Sequence, residues 1–374
     1  MTNVLKANTK HHTERNAFFD GEVGVQRYDV LAQPILEKYN NQMLANFWRP
    51  EEVDVTKDKL DYAKLDDAQK RIFTSNLKRQ IVLDSVQGRE PVACFMQLAS
   101  TPEAEAAVLE WSHQELIHSR SYTHIIRGVL NNPSEVFDGI EDIEAIVDLA
   151  DSINKYYEEL EKWNFQLEAL KRGLTDQYDE YAHKKAFWLA INAVNALEGV
   201  RFYVSFACSW AFQEVLDLME GNAKIIKLIC RDENIHLKLT QTLISRVLVT
   251  DPDFQRIREE TRGECQALFM ESAEQEKAWA DELFAEGSML GLNKTILCEY
   301  VDWVTDKRMR AVGLNYSGNI PSKNPLPWTE HWIAGDIKQT ALQEAENDSY
   351  LLGVLSGHDE EEHKRTVEMY GHMY

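Results

Sequence analysis

The stretch YAHKKAFWLAINAVNALEGVRFYVSFACSWAFQEVLDLM, residues 181–219, is apolar on almost every side of a helix, with only a few spaced polar groups. Such a helix cannot lie on a surface, so other helices must wrap it. Its one awkward residue is Glu198, a carboxylate costly to ionise in apolar surroundings unless a cation meets it. Arg201, less than a turn away, is one candidate; a metal ion is another.

The rest of the chain supplies the wrapping. RYDVLAQPILEKYNNQMLANFW keeps a 3.6 period until Pro50 interrupts it, and KLDDAQKRIFTSNLKRQIVLDSVQGRE runs to Gly88 and Pro91. Thr101 as cap, Pro102 at the first position and early glutamates open a helix that Asn131 to Pro133 close. DIEAIVDLADSINKYYEELEKWNFQLEAL stops near KRGLT, and helical patterns resume over 222–247, 254–286 and 293–312. Alternating runs bounded by tight turns do not recur, and no fixed-period repeat or low-complexity linker divides the chain. The pattern predicts an all-α chain with one domain over residues 1–340. Residues 341–374 are charged, glycine-bearing and without sustained apolar period, and read as a flexible partner-binding tail.

Charge narrows the partners. With 62 acidic against 40 basic residues, a formal charge of -22 repels phosphate backbones and anionic membranes, so neither nucleic acid nor a membrane is expected. Cys94, Cys208, Cys230, Cys265 and Cys298 are scattered, odd in number and form no CxxC pair, which argues for a reducing compartment and against a thiolate metal site. The N-terminus lacks an apolar leader, and no run approaches the roughly 18 apolar residues of a membrane span. A soluble cytoplasmic protein is the expectation.

Two segments carry the chemistry. EWSHQELIHSRSYTHIIRGVL places Glu115 and His118 about 60° apart on a helix, and NAKIIKLICRDENIHLKLTQTLI repeats the spacing with Glu233 and His236. One Glu-x-x-His is ordinary on a solvated face. Two in long helical patterns suggest a bundle enclosing two metals, which needs one further carboxylate from each of two other helices. Asp84, isolated in RQIVLDSVQG, and Glu198 complete that set. Taken singly, Asp84 could pair with Arg79 or Arg89, Glu198 with Arg201, and Glu233 with Lys227. As a set, four carboxylates and two imidazoles suit iron or manganese. Tyr122 falls within about 20° of Glu115, one turn past His118, where a phenol beside an oxygen-activating centre is oxidisable. Phe202, Phe206, Ile226 and Ile229 share the faces of Glu198 and Glu233 and would keep the surroundings dry, although any bundle core has such residues.

These segments, with FWRPEEVDV at 47–55, VLDSVQGR at 82–89 and GLNKTILCEYVDW at 291–303, closely resemble the radical-generating small subunit of class I ribonucleotide reductase, over about residues 17–353. The resemblance implies a ferritin-like helical bundle with additional surrounding helices and two iron ions per chain, manganese being the alternative, with O2 for radical generation. Asp84, Glu115 and His118 would hold one ion, and Glu198, Glu233 and His236 the other, some carboxylates bridging. Tyr122 would be the radical site, Phe202, Phe206 and Ile229 its pocket, and Trp48 with Asp232 the link through His118 towards the surface. Tyr350 would relay the oxidising equivalent to a large catalytic subunit bound through the C-terminal tail. The subunit would be a homodimer within a thioredoxin- or glutaredoxin-dependent ribonucleoside-diphosphate reductase. The tail, ending EEEHKRTVEMYGHMY, departs from the acidic, apolar ending of relatives, and the KRGLTDQYDE connection is shorter than in many. A substrate-oxidising di-iron enzyme and an iron-storage bundle are the competing classes; Tyr122 separates the radical subunit from both.

Overall fold

Pro34 decides where the first helix begins. The helical period starts near Arg27, but proline lacks an N–H and biases the residue before it away from helical geometry. In the computed structural model, which describes residues 8–289 and 291–334, helix α1 (Pro34–Ala45) therefore starts on the proline itself. A short helix α2 (Thr56–Tyr62) leads to α3 (Asp67–Gln87). The Asp66 carboxylate accepts from the Gln69 backbone N at 2.8 Å, and the Gln69 side chain accepts from the Asp66 N at 3.0 Å, a reciprocal cap that fixes the start of α3. Thr101 caps α4 (Pro102–Val129), its hydroxyl accepting from Ala104 N at 3.4 Å, with Pro102 in the first turn.

After α5 (Ser134–Asp138), α6 (Glu144–Lys171) ends at KRGLT, where Gly173 takes φ +68°. Gly173 N and Leu174 N each donate at 2.9 Å, to Leu170 O and Ala169 O, closing the last turn. The apolar stretch is α7 (Glu180–Ala196) running into α8 (Phe202–Leu216), and residues 186–212 are buried without exception. The two helices are joined through a π turn, Leu197–Arg201, which periodicity did not foresee. Its widened backbone is answered from outside: Arg308 Nε donates to Gly199 O at 3.0 Å, and a Cβ on Gly199 would stand 3.0 Å from Leu237 and 3.1 Å from Arg308.

Asp217 and Met219, at φ +54° and +63°, reverse the chain into α9 (Glu220–Thr242). Asp58 of α2 accepts from Gly221 N at 3.0 Å and Asn222 N at 2.6 Å, holding the N-terminus of α9. Gly221 is required there, since a Cβ would lie 2.6 Å from Asp54 O. The helix expected over 254–286 is two, α10 (Pro252–Glu260) and α11 (Arg262–Leu283), broken at Thr261, whose hydroxyl donates to Ile257 O at 2.7 Å. The series ends with α12 (Lys294–Ala311) and α13 (Thr329–Ile333).

Helix α3 packs on α4 and α8, and α9 closes the ring against the same two. Around this four-helix core, α1 covers α4 and α9, while α6 and α11 cover α7. Among the described residues there is no strand, only isolated bridges between Phe18 and Ala99 and between Met289 and Leu292. The chain is thus the all-α, ferritin-like bundle with surrounding helices that its pattern and resemblance predicted. The tail over 341–374, with Tyr350, lies outside the described residues.

Candidate metal centre

Each core element delivers carboxylate to the centre of the ring. Asp84 comes from α3, Glu115 and His118 from α4, Glu198 from the π turn, and Glu233 and His236 from α9; all six are 0 % exposed. Asp84, Glu115, His118 and Glu233 offer donor atoms within 4.8 Å of one another, and so do Glu115, Glu198, Glu233 and His236. Glu115 and Glu233 belong to both groups and therefore stand between two cation positions.

The histidines turn the same nitrogen inward. His118 Nδ1 lies 3.1 Å from Glu233 Oε1 and 3.5 Å from Glu115 Oε2. His236 Nδ1 lies 3.0 Å from Glu233 Oε2 and 3.2 Å from Glu115 Oε1. Their outer nitrogens differ in partner: His118 Nε2 is 3.3 Å from Asp232 Oδ2, whereas His236 Nε2 is 2.8 Å from Gln114 Oε1. Trp48 Nε1 donates to the same Asp232 oxygen at 2.8 Å, so indole, carboxylate and imidazole form one buried chain.

Charge balance tests the fit to metals. Among the described residues no lysine or arginine pairs with Asp84, Glu115, Glu198 or Glu233. The partners open to these carboxylates in sequence are engaged elsewhere: Arg79 binds Glu276, Arg89 donates to Ser85 O at 3.3 Å, Arg201 donates to Gln275 at 2.7 Å and Ser152 at 3.1 Å, and Lys227 lies over the Trp332 ring. Both Asp84 oxygens, one oxygen each of Glu115, Glu198 and Glu233, and His118 Nδ1 are buried without a hydrogen bond. Two divalent cations would neutralise four carboxylates and occupy these orphaned atoms. An oxygen-rich set with one imidazole per position and no thiolate fits iron or manganese.

Without cations, protons take their place. Burial, then the charge of Glu115, pushes the Asp84 carboxyl well above its usual range, and burial, then Glu233, does the same to Glu198. Burial would also raise Glu233, but hydrogen bonding with Glu198 and the charge of His236 outweigh it and hold Glu233 low. Burial opposes protonation of His236, yet the Glu233 charge carries it up to about 9. His118 is raised likewise against burial, chiefly through Asp232.

Tyr122 is 0 % exposed and its hydroxyl has no aligned hydrogen bond. Burial first and the neighbouring Asp84 charge second push the phenol well above its ordinary range, so it stays neutral. Phe202 and Phe206 of α8, stacked at 5.6 Å, and Ile229 of α9 are fully buried. His113 sits half-exposed 3.8 Å from Glu110, and the His124 ring is 2.9 Å from Val53 O, neither at the centre. Four contributors escaped the sequence reading. Gln87 donates to Glu198 at 2.7 Å while accepting from the Tyr157 hydroxyl at 2.9 Å, and Trp111 donates to Glu115 at 3.0 Å. Gln114 is the fourth. Gln87 and Trp111 lie one helical turn from Asp84 and Glu115, a spacing that could have flagged them.

A family model for the ribonucleotide reductase small chain matches residues 28–325. The chain belongs to the ribonucleotide reductase small-chain family. It is therefore a small subunit of that oxidoreductase. The ribonucleoside-diphosphate reductase 1 subunit beta of Salmonella typhimurium is 49% identical over 346 residues, covering 90% of this chain and 92% of the relative. Among solved structures, the ribonucleotide reductase R2 subunit from Clostridium botulinum shares the fold at a TM-score of 0.72 and 22% identity, covering 88% of this chain and 99% of its own. A ribonucleotide reductase homodimer from Saccharomyces cerevisiae does so at 0.61 and 19%, covering 79% and 85%. No described helix is long and apolar enough to cross a membrane.

Proposed function

We propose that this small subunit stores an oxidising equivalent on Tyr122 and passes it to a large subunit that reduces ribonucleoside diphosphates. The observation that carries the reading is a dry, neutral phenol beside Asp84 in a cluster of carboxylates without lysine or arginine partners. A pair of iron or manganese ions bound there would supply, with O2, the power to remove one electron from the phenol. Asp84, Glu115 and His118 would hold one ion and Glu198, Glu233 and His236 the other, with Glu115 and Glu233 shared.

The protein's own residues define the rest. Tyr122 is fully buried, which keeps water and reductants from a phenoxyl, and Phe202, Phe206 and Ile229, equally buried, are its expected apolar pocket. The chain His118, Asp232, Trp48 offers a hydrogen-bonded route out of the centre, and Tyr350 in the tail is its relay to the large subunit. We place the chain in a homodimer, a state reported in the Saccharomyces neighbour, and note exposed Leu44, Leu109 and Leu116 on the adjoining α1 and α4. Five cysteines without a disulfide suit the cytoplasm.

The test loads metal-free protein with Fe(II) or Mn(II), adds O2 and records EPR and visible spectra. Wild type should give an organic-radical signal and Tyr122→Phe none, with oxidised metal in both. A wild-type protein that binds metal and forms no radical sinks the assignment. Tyr350→Phe should keep the radical and lose ribonucleotide reduction with the cognate large subunit; full turnover would remove Tyr350 from the route.

A further inference from the structure

The two Glu-x-x-His units are alike in their inward atoms and unlike behind. Gln114 stands immediately before Glu115, is 2 % exposed, and spans from the centre to α1. Its amide nitrogen donates to Met43 O at 3.3 Å, and its amide oxygen lies 2.8 Å from His236 Nε2. A backbone carbonyl can only accept, so Met43 settles which end of the amide faces α1. The other end must be the oxygen, and it can only accept from the imidazole. His236 therefore keeps an N–H on Nε2, so the nitrogen that can give up its proton to a metal is Nδ1, which faces the cluster. Behind His118 the same job falls to Asp232, an anion.

We propose that Gln114 is a positioning residue that selects Nδ1 of His236 as a metal ligand, and that its neutral amide makes the His236 side the weaker of two cation positions. The physical reason is the partner's charge. A carboxylate behind an imidazole N–H raises the donor strength of the opposite nitrogen more than an amide oxygen does. Gln87, also an amide, donates to Glu198 at 2.7 Å on that same side and draws charge from its carboxylate, whereas Asp84 has no amide donor and only the poorly aligned Tyr122 hydroxyl beside it. Both differences act in one direction.

This inference rests on the dinuclear reading of the site but needs neither a radical nor a large subunit. The experiment titrates metal-free full-length protein with Mn(II) alone, following free Mn(II) by EPR. Wild type should bind two ions in two resolved steps. Gln114→Leu should weaken the second step by about 10-fold or more and leave the first within about twofold. Gln114→Glu, which restores an acceptor and adds charge, should tighten the second step and draw the two together. Melting of each metal-free variant checks folding; if Gln114→Leu does not fold, the Gln114→Glu titration decides. Equal weakening of both steps, no change in either, or a wild-type isotherm with two equivalent sites would overturn the proposal. Wild-type protein that binds no Mn(II) and no Fe(II) would instead overturn the dinuclear reading itself.

Discussion

Two clusters of buried charge share helices and are built in opposite ways. Helix α3 gives Arg79 to one and Asp84 to the other, and the π turn gives Arg201 and Glu198. In the first cluster opposite charges are mixed: Arg79 binds Glu276 and lies 4.7 Å over the Trp279 ring, while Arg201, within the field of the same Glu276, donates to neutral Gln275 and Ser152. In the second, four carboxylates converge on two imidazoles with oxygens left over. Burial is the same in both; only the balance differs. Buried charge alone does not mark a functional site, whereas several buried charges of one sign converging on one point do.

Metal loading should show the contrast most strongly. Each cation at a hundred times its dissociation constant adds about 2.7 kcal/mol, so two should stabilise the protein by roughly 5 kcal/mol in denaturant unfolding. No such gain would mean that the carboxylate cluster is as complete as the arginine one. Glu276→Ala should cost about 3–5 kcal/mol in the same assay, with and without metal, because it strands Arg79 in the core. A loss seen only in the loaded protein would tie the two clusters together. Asp84→Asn reverses the expectation: in metal-free protein it removes a carboxyl that burial holds protonated at a cost and should stabilise by about 1 kcal/mol, while abolishing one Mn(II) step. Destabilisation of the metal-free form would show that Asp84 is already satisfied.

A further effect is on pH. His236 is protonated up to about 9 in the folded metal-free chain, above its ordinary 6.5. Its contribution to stability is therefore complete below about pH 6.5 and lost as pH rises through about 9. Metal must displace that proton, so loading should strengthen over the same interval and release protons to buffer. Unfolding curves of metal-free protein at pH 6.5 and 9, and a proton-release titration, measure both. Stability that rises between these values would contradict the sign.

What could be read in sequence follows from what is local. The repeated Glu-x-x-His is one helical turn, and Asp84 and Glu198 stand out as lone acids in apolar runs, so the six centre residues were nameable. Arg201 is three residues from Glu198 and looked like its partner, yet it turns to Ser152 and Gln275. Glu276, 197 residues from Arg79, leaves no mark in periodicity. Gln87, Gln114 and Tyr157 are ordinary helix residues whose roles exist only across helices. The π turn was invisible for another reason: in a segment apolar on every side, one extra residue per turn disturbs no stripe.

That turn leaves the molecule unequally tolerant of two kinds of genetic change. Most positions along a buried helix resist substitution by size, but around Gly199 the chain is also counted. Deleting one residue would regularise the helix and leave α7 and α8 in register, because the widened turn already absorbs the extra residue. The α7 face would keep its neighbours, but Glu198 would shift from the centre and the carbonyl held by Arg308 would be drawn back into the helix. Insertions and deletions should therefore be purged at this point more severely than point mutations, so that the length of the segment from Glu180 to Leu216 is inherited as strictly as any side chain in it.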